Sequence, residues 1–273
     1  MEPHIVCSGG SVIGTDHRRV GRNNQDAFQI VRQGTALAAV VCDGCGSNPD
    51  SEIGAKLGAR MLAQRFVQQA AQDPQGFVER LVDPLCDVAQ ALTQIIASVG
   101  VPPRELLYDG FLFTFVAVVV SAEIATCFAI GDGVAFMNAQ RLPFATFANN
   151  APPYLGYAML GDVRNRLLKD LALLRVMPTA ELESFLIGTD GVQDLVTTET
   201  LTIPGKAEVV GPIQRLWEED RFFRNPDQAR RFLCLVNQET AHPNWDERQL
   251  EKTFGRLRDD TTYVAGRRER GTS

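Results

Sequence analysis

Two hydrophobic periods divide the chain. Residues 5–14 and 27–32 read as strands, and the apolar run at 36–42, ALAAVVC, reads as a buried one. Across 51–72 and 75–99 the apolar positions return every three or four residues, which predicts two amphipathic helices. Residues 111–121 and 124–130, joined by a short polar turn, predict a β-hairpin. A short buried strand follows at 184–188 and a last strand at 261–265, with helices expected across 210–223 and 226–240. Hairpins and helix pairs, rather than single strands alternating with single helices, predict an α+β protein whose antiparallel sheets carry helices on their outer sides. The least regular stretch, 138–179 around PPYLGY, is expected to be a flap or lid, because structureless loops of that length are commonly functional. With no internal repeat, low-complexity tract or linker, residues 5–266 read as one domain and 267–273 as a solvated tail.

Composition narrows the function classes. The 273 residues are 45% apolar and 22% charged, ample for a closed core. The formal charge of −6 comes without a Lys/Arg stripe, so a nucleic-acid partner is not expected. The start MEPHIVCSGGSV lacks the pattern of a signal peptide, and the apolar run at 115–120 is far too short to span a membrane. Cysteines 7, 42, 45, 86, 127 and 234 lie mostly inside apolar runs, as reduced thiols of a cytoplasmic protein would. Histidines 4, 17 and 242 are too few and too scattered for a zinc cage.

Aspartates at strand ends carry the chemical signal: Asp43 in AVVCDGCG, Asp132 in TCFAIGDG, Asp190 in FLIGTDGVQD and the pair Asp259–Asp260 in LRDDTTYV. Asp-Gly is first of all a turn signal. Yet Asp43-Gly44 leads into a polar stretch and a helix, and Asp190-Gly191 into VQDLV, so neither turns into a returning strand. These carboxylates would converge beyond one sheet edge, where mutual repulsion raises their pKa unless cations neutralise them. An oxygen-only ligand set suits Mg²⁺ or Mn²⁺, and paired cations suit phosphoryl displacement. A local rival is Cys42-Asp-Gly-Cys45, a C-x-x-C between strand and helix of the kind that marks thioredoxin-type oxidoreductases; it explains none of the other aspartates.

The segments GTDHRRVGRNNQDAF, VVCDGCGS, CFAIGDG, LIGTDGVQD and RDDTTYV resemble, in order and approximate spacing over residues 10–265, the motifs of the metal-dependent type 2C protein serine/threonine phosphatases. That resemblance implies a four-layer α-β-β-α sandwich of two antiparallel sheets flanked by helices. It implies hydrolysis of phosphoserine and phosphothreonine in phosphoprotein substrates by direct in-line attack of a dimetal-bridging water, in opposition to a kinase that the sequence does not identify. Asp43 would bridge two Mn²⁺ or Mg²⁺ ions, the Gly44 carbonyl would bind one, and Asp190 and Asp259 would hold the second. Asp26 would act through metal-bound water, and Asp132 and Asp194, with Asp190, would bind a weaker third ion.

The chain departs from the family pattern in three places. Gln25-Asp26 replaces Glu-Asp, as in a bacterial sub-branch with Gly-x-x-His upstream, which Gly14 to His17 fits. The phosphate-binding arginine falls to Arg22, four residues before Asp26, with Arg18 and Arg19 competing. Cys45 stands where many relatives have a proton-donating histidine, leaving water or His17 for that role. Thr114 falls in a strand where the family also has threonine, and Phe144, Phe147, Tyr154 and Tyr157 either form a lid over the cleft or pack their segment down. The lost Glu and the displaced arginine motivate a second reading, a non-catalytic binding or sensing module.

Overall fold

The run from Ala36 to Gly44 is the strand around which the layers form. Its alternation sends Leu37, Ala39 and Val41 into one apolar core and Ala38, Val40 and Cys42 into another, which is why it is apolar without a break. The structure, a computed structural model, describes residues 4–269. In chain order its strands are β1 (Ile5–Val12), β2 (Asp26–Gln33), β3 (Ala36–Gly44), β4 (Phe113–Val120), β5 (Ile124–Ile130), β6 (Val134–Met137), β7 (Gln140–Arg141), β8 (Leu171–Pro178), β9 (Ser184–Gly188), β10 (Thr240–Asn244), β11 (Gln249–Thr253) and β12 (Thr261–Arg268). The helices are α1 (Thr15–Arg19), α2 (Ser51–Gln72), α3 (Val82–Ser98), α4 (Pro103–Gly110), α5 (Val163–Asp170), α6 (Val192–Thr197), α7 (Arg215–Glu218), α8 (Arg221–Arg224) and α9 (Gln228–Val236).

Two five-stranded antiparallel sheets, in the orders β2-β3-β4-β5-β8 and β1-β12-β9-β6-β7, pack face to face. Val116, Val118 and Ala129 of the first sheet meet Phe185, Ile187 and Val264 of the second in the central core. Helices α2 and α3 cover the outer face of the first sheet, where Phe66 of α2 stands edge-on to Phe128 of β5 at 4.9 Å between ring centroids. Side chains from α6 to α9 cover the outer face of the second sheet over Leu186, Tyr263 and Ala265. This is the expected α-β-β-α sandwich.

Where elements differ from expectation, a local cause is visible. The helix expected across 75–99 is a 3₁₀ turn at Phe77–Arg80 followed by α3, because Pro84 lacks an N–H and belongs in a first turn. Gly211 and Pro212 hold off the first late helix until Arg215, Pro226 separates α8 from α9, and the extended backbone of Glu219 divides α7 from α8. The hairpin β10–β11 starts at Thr240, the last residue expected to be helical. The stretch 138–179 is irregular only in part: α5, capped by Asp162 through its bond from Asn165 N at 3.1 Å, and the edge strand β8 occupy its second half. Strand β12 continues through Arg268, into the expected tail, and residues 270–273 lie outside the described residues. Among the described residues no single helix is long and apolar enough to cross a membrane.

Candidate active site

Strand pairing brings the aspartates to one end of the sandwich. Asp26 opens β2 directly opposite Asp43 near the end of β3, and Asp43 in turn faces Thr114 of β4. Asp132 lies where the chain crosses from β5 in one sheet to β6 in the other. That crossover requires Gly131, whose φ of +96° favours glycine and whose added Cβ would collide with the Thr114 side chain. Asp190 follows β9, and Asp259–Asp260 precede β12, which pairs with β9 from Tyr263 opposite Gly188.

These elements enclose a cavity of about 260 Å³ lined by Asp43, Gly44, Asp132, Asp190, Asp259 and Asp260, together with His17, the Cys45–Ser47 loop, Thr114, Pro152 and Tyr154. Gly44 has no room for a side chain: a Cβ there would stand 2.7 Å from Ser51 Oγ and 2.8 Å from the Gln25 carbonyl. Burial, then the charges of Asp26, Asp190, Asp259 and Asp132, hold the Asp43 carboxyl well above the usual carboxylate range. Burial and then Asp260 do the same to Asp26, partly offset by hydrogen bonds from Thr189 and Thr262; Thr189 Oγ1 donates to Asp26 Oδ2 at 2.7 Å. Asp190 is pushed up to about 6 by burial and then by Asp259 and Asp132. Asp132 and Asp259 are raised chiefly by burial. Among the described residues no Lys or Arg side chain lines this cavity, so the carboxylates lack the partners that would keep them ionised. A hard-oxygen donor set with unmet negative charge fits divalent cations of the Mg²⁺ or Mn²⁺ type.

Asp260 has a separate task. Only 3% exposed, it accepts from Gly14 N at 2.7 Å and Gln25 N at 2.6 Å, and its Oδ2 lies 2.9 Å from His17 Nδ1. It therefore ties α1 and the start of β2 to the last strand, and it leaves His17 Nε2 as the free ring nitrogen. His17, Asp259 and Asp260 have ligand atoms all within 4.8 Å of one another. The His17–Asp260 hydrogen bond accounts for two of the three, so this group reads as a held imidazole beside the carboxylate cavity. Asp260→Ala is expected to lower stability by about 2–4 kcal/mol, because two buried N–H groups lose their acceptor. A melting temperature about 5–15 °C lower in chelator checks this; a wild-type melt would remove Asp260 from that role.

The remaining candidates separate by position. Of the three arginines, Arg22 donates to the carbonyl of Gly46 on the cavity loop. Arg18 turns toward the Asn237 and Ile13 carbonyls, and Arg19 toward Asp16 and the Phe254 ring. Asp194, in the first turn of α6, is not part of the cavity wall; its Oδ2 accepts from Arg258 N at 2.8 Å. Gln25 is also outside the wall: its Nε2 donates to the Asn48 carbonyl at 2.8 Å, and its buried Oε1 has no partner among the described residues. Tyr154 lines the cavity, whereas Phe144 packs against the inter-sheet core. Sequence reasoning did not assign Asp260, and the only signal for it was its place beside Asp259. Cys42 is fully buried, and burial raises its thiol well above the ordinary range, unlike the exposed low-pKa thiol that disulfide exchange requires.

A family model described as Protein phosphatase 2C matches residues 13–228. Among solved structures, the chain is similar to a bacterial serine phosphatase, with TM-score 0.59 and 18% identity over 99% of this chain and 100% of that one. It is similar also to the serine/threonine phosphatase Stp1 from Staphylococcus aureus, with TM-score 0.54 and 15% identity over 99% and 98% of the two chains. A C. elegans sex determining protein matches with TM-score 0.55 and 14% identity, over 98% of this chain and 65% of that one. At such identities the likeness speaks for the fold. No curated protein sequence matches.

Proposed function

The chain belongs to the protein phosphatase 2C family, and we propose that it is a catalytically active member that hydrolyses phosphoserine and phosphothreonine in proteins. The observation that carries this reading is the convergence of Asp43, Asp132, Asp190 and Asp259 with Gly44 on one cavity that, among the described residues, no Lys or Arg lines. Asp43 and the Gly44 carbonyl, Asp190 and Asp259 would hold two Mn²⁺ or Mg²⁺ ions, with a weaker third at Asp132 that also draws on Asp190. When bound, such cations supply the positive charge that stabilises the attacking and leaving oxygens of an in-line displacement.

The chain's own groups do the rest. Asp26, buried outside the cavity wall but fixed by Thr189 directly across from Asp43, would act on the attacking water from behind Asp43. His17, gripped at Nδ1 by Asp260, presents Nε2 to the cavity, where an Nε2–H can give its proton to the leaving serine or threonine oxygen as the P–O bond breaks. Arg22 brings a guanidinium to the rim, where it can turn from the Gly46 carbonyl to a phosphoryl oxygen. Gln25 does not weaken this reading, because its amide braces Asn48 outside the wall and removes no carboxylate from the cavity. Six free cysteines are in keeping with a reducing compartment such as the cytoplasm.

The test is turnover of an aryl phosphate and of a phosphothreonine peptide. Mn²⁺ should support both reactions and excess chelator should reduce them to background. Absence of turnover with Mn²⁺ and with Mg²⁺, over several peptides, would put a non-catalytic binding module in place of the enzyme.

A further inference from the structure

Beside the acidic cavity runs a second depression of different character. It is a groove of about 580 Å³ between α4, the 3₁₀ turn Leu155–Leu160 and α5. Tyr108, Tyr157 and Leu160 form its apolar side, and Arg166 and Lys169 its basic side. Tyr108 is 37% exposed and Leu160 47%, so aromatic and aliphatic surface is presented to solvent.

The groove is continuous with the active site. The ring of Tyr154, which walls the cavity, stands 5.6 Å from that of Tyr157, and Tyr157 stands 6.4 Å from Tyr108. The carbonyl of Tyr108 accepts from Asn48 Nδ2, and that of Asp109 from Asp50 N, which fastens α4 to the end of the cavity loop. The groove wall and the loop beside the acidic centre are thus one connected unit.

Its charge is opposite to that of the cavity. Guanidinium groups lie over both aromatic rings, Arg166 at 5.8 Å from the centre of Tyr157 and Arg104 at 5.9 Å from that of Tyr108. Lys169 makes no ion pair with any described residue. The carboxylate of Asp162 is occupied in capping α5, accepting from Asn165 N and Nδ2. Arg166 is shared with Asp170, while Lys169 and Arg104 have no ion-pair partner among the described residues, and together they outnumber Asp162, the carboxylate of the groove wall. In a chain of net charge −6, a cationic aromatic groove leading out of an acidic centre is a local exception that calls for an anionic occupant.

We propose that this groove binds the polypeptide flanking the phosphorylated residue and selects acidic side chains about two to four positions away, a reach set by the roughly 3.3 Å rise of an extended chain. This rests on the phosphatase reading of the neighbouring cavity and names the class of sequence that cavity serves. Tyr157 and Tyr108 give the peptide a flat apolar bed, while Lys169 and Arg166 pair with its carboxylates at the rim.

The experiment compares two phosphothreonine peptides, one flanked by glutamates and one by lysines, with p-nitrophenyl phosphate as a substrate too small to reach the groove. Wild-type kcat/KM should favour the acidic peptide by about tenfold, equivalent to about 1.4 kcal/mol. In Lys169→Glu combined with Arg166→Gln that preference should vanish or invert through KM, with aryl phosphate turnover within about twofold of wild type. Fluorescence anisotropy of the labelled peptides reads the same preference without catalysis. Failure of the phosphatase reading would show as lost aryl phosphate turnover, while the anisotropy would still report on the groove. Equal affinity for the two peptides, or a preference that survives the double substitution in a protein with wild-type melting temperature, overturns the proposal.

Discussion

Asp43→Asn is expected to reduce turnover of both aryl phosphate and phosphopeptide by at least about a thousandfold, equivalent to about 4 kcal/mol of transition-state stabilisation. The size follows from where Asp43 sits. It lies at the floor of the cavity, opposite Asp26 on one neighbouring strand and Thr114 on the other, within the electrostatic reach of Asp190, Asp259 and Asp132. An amide removes the charge that all the other carboxylates act alongside, and the packed strand β3 gives the backbone no freedom to bring in a substitute. Asp190→Asn and Asp259→Asn should also lose most activity. Asp132→Asn, on the crossover between the sheets, should lose about tenfold, with most of that loss recovered at high metal concentration. The measurement is kcat/KM as a function of Mn²⁺. Near-normal turnover by Asp43→Asn at limiting metal would move the centre elsewhere.

Mn²⁺ is expected to raise the melting temperature by about 5–10 °C at a hundredfold excess over its dissociation constant, since that excess adds about 2.7 kcal/mol. The pH dependence sharpens the test. The Asp190 carboxyl is lifted by burial and by Asp259 and Asp132 to about 6 in the folded chain, against about 3.9 when unfolded. A folded-state pKa above the unfolded one adds stability that is complete below about pH 4 and is lost as pH rises through about 6. In chelator the melting temperature of the wild type, taken relative to Asp190→Asn, should therefore fall between pH 4 and 7. With saturating Mn²⁺ the order should reverse at pH 7, where the wild-type carboxylate can bind the cation and the amide binds it poorly. A difference between the two proteins that does not change with pH in chelator would mean that Asp190 is not strained by its neighbours.

Much of the architecture was legible because it is local. The three- and four-residue apolar spacing of 51–72 matches α2 end to end, and the polar turn at 121–123 separates the β4–β5 hairpin as expected. The run ALAAVVC announced a strand buried on both faces, and two buried faces already imply layers on both sides. Errors gathered where propensity is weak: α5 is short and mostly exposed, β8 is an edge strand with exposed Leu173 and Val176, and β10–β11 form an isolated hairpin.

What the sequence by itself determined is the set of elements and the placing of aspartates at strand ends, because backbone periodicity and turn chemistry act over a few residues. Which of those groups face one another was decided only by the tertiary structure. Asp259 and Asp260 are neighbours in the chain and both reach the cavity wall, yet Asp259 is an exposed carboxylate whereas Asp260 is buried and bonded to His17. The bonds that make the difference, from Gly14 N and Gln25 N, cross 246 and 235 residues. Arg22 was likewise separated from Arg18 and Arg19 by the position of the Gly46 carbonyl, and Tyr154 from Phe144 by the cores that each could reach. The direction of a side chain at a loop depends on which distant surface arrives beside it, and that surface exists only once both sheets have packed.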